Sequence, residues 1–80
     1  MNINSIKHLV DTYTTTQLQA AEQALLNEET LAIVVEGKDE GEQLTHILAA
    51  VFCQEEMAKS GVNINQAVRL YSQRVRGSIN

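Results

Sequence analysis

Asp39, Glu42 and His46 are the residues whose types and spacing come nearest to chemistry, because intervals of three and four put them on one face at the start of a helix. Carboxylates and an imidazole can hold a divalent metal, but a fixed structural zinc site takes four ligands and this face offers three. The plainer expectation is an exposed polar stripe in which Asp39 caps the helix and Glu42 pairs with His46. His46 and Cys53 cannot share an ion within one helix: seven residues of rise separate them by about 10 Å, whereas zinc holds its ligands at about 2.0–2.3 Å. His8, among Ile6, Leu9 and Val10, reads as a core or surface histidine. No metal and no cofactor is expected.

Cys53 is the single cysteine. A reactive thiol needs a neighbouring cation or a helix N-terminus to stabilise its thiolate, and Cys53 has Glu55 and Glu56 nearby instead. It should behave as a small buried or half-buried hydrophobe. The stretch IVVEGKDEGEQ has the outline of a strand, a glycine loop and a helix, but it lacks the spacing of a phosphate loop. Glu36, Asp39, Glu40 and Glu42 would also repel a phosphate from that helix end. There is no Ser-His-Asp order, nucleophile elbow, zinc-protease helix or paired-cysteine motif. No catalytic residue, and hence no enzyme, is expected.

Half of the positive charge lies in residues 61–80, as Arg69, Arg74 and Arg76. Together with a glycine turn before a cationic helix, these arginines allow a second reading, a small helix-turn-helix-like DNA-binding regulator that contacts nucleic acid through them. The net charge of −4 argues against it, as do Met57 at a position where close helix packing favours alanine and a preceding helix that is too long. Tyr13, Phe52 and Tyr71 are the only aromatics available for stacking on single strands.

Eighty residues, 44% of them apolar, make one domain, 1–80, with one core. The chain has no proline, so glycines and capping residues punctuate it. Residues 1–13 form an N-terminal arm or short helix. Thr14 with Gln17 offers a capping box for a helix that buries Leu18, Ala21 and Leu25 and ends near Asn27. Asp39 with Glu42 opens the longest helix, about 40–60, which Ser60 and Gly61 close. Asn63 with Gln66 opens the last, with Gly77 as its stop. The run TLAIVV at 30–35 is rich in β-branched residues and reads as a short strand; it could pair with the N-terminal arm, pair with its copy in another subunit, or be drawn into a helix. The fold is therefore mainly α, a compact bundle of three or four helices with room for one short strand near 31–35, completed by dimerisation. Its core should hold Leu18, Leu25, Leu44, Leu48, Val51, Ile64, Val68, Tyr71 and Val75.

Self-association is expected for two reasons. A chain this short buries only about 60–65% of its unfolded surface and has no disulfide to compensate. The apolar face of the long helix is also wider than one neighbouring helix requires, so Leu44, Ile47, Leu48, Val51, Phe52 and Met57 are the candidate interface. No run approaches the roughly 18–20 apolar residues that cross a bilayer, the longest being 47–53, and the first residues lack the apolar block of a signal peptide. The expected protein is cytoplasmic.

The IKHL start, the EGEQLTHILAAVF helix and the closing AVRLYSQRVRGSIN resemble a family of small bacterial proteins of unknown function, of about this length. The clearest part is the ending, Arg74-Val75-Arg76-Gly77-Ser78-Ile79. A weaker likeness runs to a second uncharacterised helical family that closes on Ser-Ile-Asn and looks like intertwined dimers. Neither resemblance brings an activity or site residues; both imply a compact, helical, dimeric protein. The function expected is a non-enzymatic, self-associating interaction module that binds a second copy or another protein through its wide helix face.

Overall fold

Four helices make up the computed structural model: α1 (Ile3–Thr12), α2 (Thr15–Leu26), α3 (Glu40–Ser60) and α4 (Ile64–Ile79). It describes residues 2–79, with side chains through residue 77, so Asn80 and the side chains of Ser78 and Ile79 lie outside the description. No strand occurs among the described residues.

Local chemistry sets the helix starts. Asn2 Oδ1 accepts from the Asn4 and Ser5 amides and opens α1, while Thr14 and Gln17 complete a reciprocal box for α2. Asn63 and Gln66 do the same for α4, at 2.9 and 3.0 Å. At α3 the box is split: Asp39 accepts from the Glu42 amide at 2.8 Å, but Glu42 reaches one residue further back, to the Lys38 amide.

The helix ends are less uniform. The Glu29 amide donates to Ala24 and the Glu28 amide to Leu25, so α2 closes in a Schellman turn with Glu28 in the left-handed region at φ 58°. Gly61 ends α3 at φ 71°, a conformation that costs a residue bearing Cβ. Gly77 does not stop α4, which continues to Ile79, because Gly77 does not take up the positive φ that terminates a helix.

Every other helix packs on α3. Its buried residues, His46, Ile47, Ala49, Ala50, Val51 and Cys53, spread around much of its circumference. Ile6 and Leu9 of α1, Leu18 and Ala21 of α2, and Ala67 and Val68 of α4 complete the core. The small side chains of Ala49 and Ala50 let neighbouring helices approach closely, so the width of the apolar face is accounted for by three neighbours within one chain. The expected core needs two corrections. Leu48 is 39% exposed and Val75 41%, because each lies on the side of its helix turned from the core. Leu18, Val51 and Val68 are buried as expected, and Leu25, Leu44, Ile64 and Tyr71 are half-buried.

Residues 30–35 form neither strand nor helix. They keep the alternation of a strand, with Leu31, Ile33 and Val35 turned inward and Ala32 and Val34 outward. No second strand lies beside them, so side chains take up backbone groups that a ladder would have used. The Val34 amide donates to the Tyr13 hydroxyl at 3.3 Å, and Gln43 Nε2 donates to the Val35 carbonyl at 3.0 Å. Gly37 then passes so close to α3 that a Cβ there would stand 2.8 Å from the Gln43 backbone nitrogen.

Candidate functional site

The structure separates Asp39, Glu42 and His46. Asp39 and Glu42 face outward, each occupied with a backbone amide at the start of α3. His46 turns inward and is 1% exposed, which corrects the expected surface Glu–His pair. Its Nδ1 lies 2.8 Å from the Glu36 carbonyl and its Nε2 3.0 Å from the Asn2 amide. A carbonyl can only accept and an amide can only donate, so His46 is the neutral tautomer carrying its proton on Nδ1. Both nitrogens are thereby used to tie the linker and the first turn of α1 to α3. Among the described residues, no group of three or more His, Cys, Asp or Glu is arranged to hold a metal ion.

Gln54, two turns further along α3, plays the matching part. Its Nε2 donates to the carbonyls of Tyr13 at 2.8 Å and Val10 at 3.3 Å, and its Oε1 accepts from the Thr15 hydroxyl at 2.7 Å. The side chain closes the end of α1 and the start of α2 in one place. Neither His46 nor Gln54 was expected to be structural. The available signal was their interval of eight residues on a helix whose intervening positions are apolar.

Cys53 is fully buried, and burial pushes its thiol up to about 11 from an ordinary value of 9.0. That is the direction opposite to an activated nucleophile. The Tyr71 phenol is also pushed up, first by burial and then by the charge that Cys53 would carry. His8 is exposed, 3.4 Å from the Thr12 hydroxyl within α1.

The candidate interface divides. Ile47 and Val51 belong to the core of this chain. Leu48 is exposed, and Leu44, Phe52 and Met57 are half-buried. Phe52 meets Tyr71 at 5.5 Å between ring centroids, and the Arg74 guanidinium sits 5.7 Å from its ring centre. Leu44 shares a shallow hollow with Leu25 and Leu26 of α2, where Leu26 is exposed. A strip thus runs over the outer side of α3 from Leu26 through Leu44 and Leu48 to Phe52.

The arginines do not act as one group either. Arg74 lies over Phe52, whereas Arg69 and Arg76, seven residues apart, share another face of α4. They line a furrow with Lys7 of α1. Among the described residues no helix is long and apolar enough to cross a membrane.

A family model described as "Family of unknown function (DUF6952)" matches residues 1–80, and the chain belongs to that family. No curated protein and no solved structure matches it.

Proposed function

We propose that this member of the DUF6952 family is a non-enzymatic interaction module that pairs with a second copy of itself through the outer side of α3. One observation carries the reading. From Gln43 to Gln54, twelve consecutive residues of α3 bear no formal charge, while Glu42 and Glu55 stand immediately outside them. The outer side of a surface helix ordinarily carries its charged residues. Here it carries exposed Leu48 flanked by Leu44 and Phe52, over about 12 Å of helix.

The chemistry of the remaining candidates supports a binding role rather than a catalytic one. Both nitrogens of His46 are taken by backbone groups, and the Cys53 thiol is buried and held protonated. The chain exposes 5165 Å², close to the about 4,800 Å² expected of a monomer of its mass. Pairing therefore adds a docked surface to a fold that closes over its own core; the two copies do not intertwine.

Sedimentation velocity across a concentration series tests this. Wild type should shift from monomer to dimer with increasing concentration, and Leu48→Lys should remain monomeric with an unchanged circular dichroism spectrum. Leu48 is the better probe than Phe52, whose replacement would also remove contacts to Tyr71 and Arg74. A wild-type protein that stays monomeric at high concentration rejects the reading.

A further inference from the structure

We infer that the furrow between α1 and α4 is a binding site for a small phosphate-bearing molecule, of the size of a nucleoside diphosphate. Lys7 on the α1 wall and Arg69 and Arg76 on the α4 wall line one open space of about 440 Å³. That volume lies within the range of small-molecule sites. No carboxylate lines it, although the chain holds ten acidic residues against six basic ones. Half of all its cations therefore gather at one place that its overall composition would make neutral or negative.

The absence of local compensation is the second observation. Among the described residues, none of Lys7, Arg69 and Arg76 forms a salt bridge with a carboxylate. Clustered like charges repel, and no carboxylate lines the furrow to offset the repulsion. A bound anion would.

The rest of the lining suits a phosphate ester. Asn65 and Ser72 supply neutral donors beside the guanidinium forks, which match phosphate oxygens in bidentate fashion. Val68, buried, and Ile3, exposed, give an apolar floor on which the organic part can lie. Arg69 and Arg76 stand about 10 Å apart along α4, so a ligand with two phosphates or a phosphate and a ring can touch both. A nucleic-acid strand fits less well, because beyond the furrow it would run over an acidic surface.

The test uses the full chain with inorganic pyrophosphate and ADP as probes, read by calorimetry at low salt and by amide chemical-shift mapping. Both probes should bind, with shifts centred on Lys7, Asn65, Arg69 and Ser72. Arg69→Ala with Arg76→Ala should weaken binding by roughly tenfold or more, and Lys38→Ala, which removes the same kind of charge elsewhere, should leave it unchanged. No heat and no shifts in wild type overturn the inference, whatever the variants do. So does an equal loss in Lys38→Ala, or binding of duplex DNA in preference to either small probe. The site shares no residue with the outer strip of α3, so either proposal can fail alone.

Discussion

α3 and α4 each open on a side-chain cap, Asp39 and Asn63, yet they occupy opposite positions in the fold. α3 is surrounded: α1, α2 and α4 each pack on it, and its buried residues include a histidine and a cysteine as well as aliphatic side chains. α4 is peripheral, burying Ala67 and Val68 against α3 and leaving Leu70, Val75 and its arginines exposed. The breadth of a helix's apolar face counts its neighbours. In an 80-residue chain those neighbours can all come from the chain itself, so breadth alone does not call for another subunit. The proposed pairing rests instead on the narrower fact that α3 carries no charge between Glu42 and Glu55.

The largest difference between the two helices should appear when one large aliphatic side chain is truncated in each. Ile47, fully buried, should lose about 3–4 kcal/mol of stability on replacement by alanine, through lost transfer energy and the cavity left behind. Leu70→Ala on α4 should cost under about 0.5 kcal/mol. Urea unfolding of both variants measures the contrast. A Leu70 effect equal to that of Ile47 would mean that α4 has a covered outer face and that the ranking of the two helices is wrong.

Polar truncations sharpen the same point. His46→Ala removes two hydrogen bonds and leaves the Asn2 amide and the Glu36 carbonyl without their partner, so it should cost about 2–3 kcal/mol. Asn63→Ala at the exposed start of α4 loses one cap and should cost about 1 kcal/mol. Amide hydrogen exchange should show faster opening of the first turn of α1 and of residues 33–37 in the His46 variant. Uniform acceleration throughout the chain would show that His46 contributes only volume.

The thiol of α3 supplies a pH-dependent comparison. Because burial raises the Cys53 pKa to about 11, the folded state holds a proton that the unfolded chain gives up near the ordinary value of 9.0. The stabilising contribution is therefore complete below about pH 9 and is lost as the pH climbs through about 11. Relative to Cys53→Ala, wild type should lose on the order of 1–2 kcal/mol over that interval. Parallel stability profiles for the two proteins would show a thiol in contact with water.

These contrasts mirror what could be read before the fold was known. Three of the four helices were legible because their starts are written locally: Thr14 with Gln17, Asp39, and Asn63 with Gln66 each satisfy amides within four residues of themselves. Gly61 was legible for the same reason. Residues 1–13 read equally as an arm or a short helix, and the Asn2 cap that opens α1 was not singled out. Three features were not local. Residues 30–35 carry strand propensity, but a strand needs a partner, and Tyr13 and Gln43 supply hydrogen bonds from elsewhere in the chain. His46 lies beside Glu42 in helical spacing, yet its partners are 10 and 44 residues away. Leu48 has the type of a core residue, and only the arrangement of the three neighbouring helices leaves it outside. The furrow was harder still to see, since Lys7 and Arg69 belong to helices at opposite ends of the sequence. Only Arg69 and Arg76 could have been placed on one face from their spacing, and Arg74 between them obscured that pair.

The smallest effects should come from the two glycines that close or interrupt these helices, and they should differ in sign. Gly61 sits at φ 71° with open space where a Cβ would go, so Gly61→Ala suffers backbone strain and no clash and should cost about 1 kcal/mol. Gly77 also has open space but lies within α4 without a positive φ, so Gly77→Ala replaces a poor helix former with the best one. It should add a few tenths of a kcal/mol and no more, because the residue lies in the last turn of a peripheral helix. Thermal unfolding of the two single variants and of the double variant checks both signs and whether they add. A destabilising Gly77→Ala would place a packing partner against the end of α4, and the outer helix would then have to be regarded as partly covered.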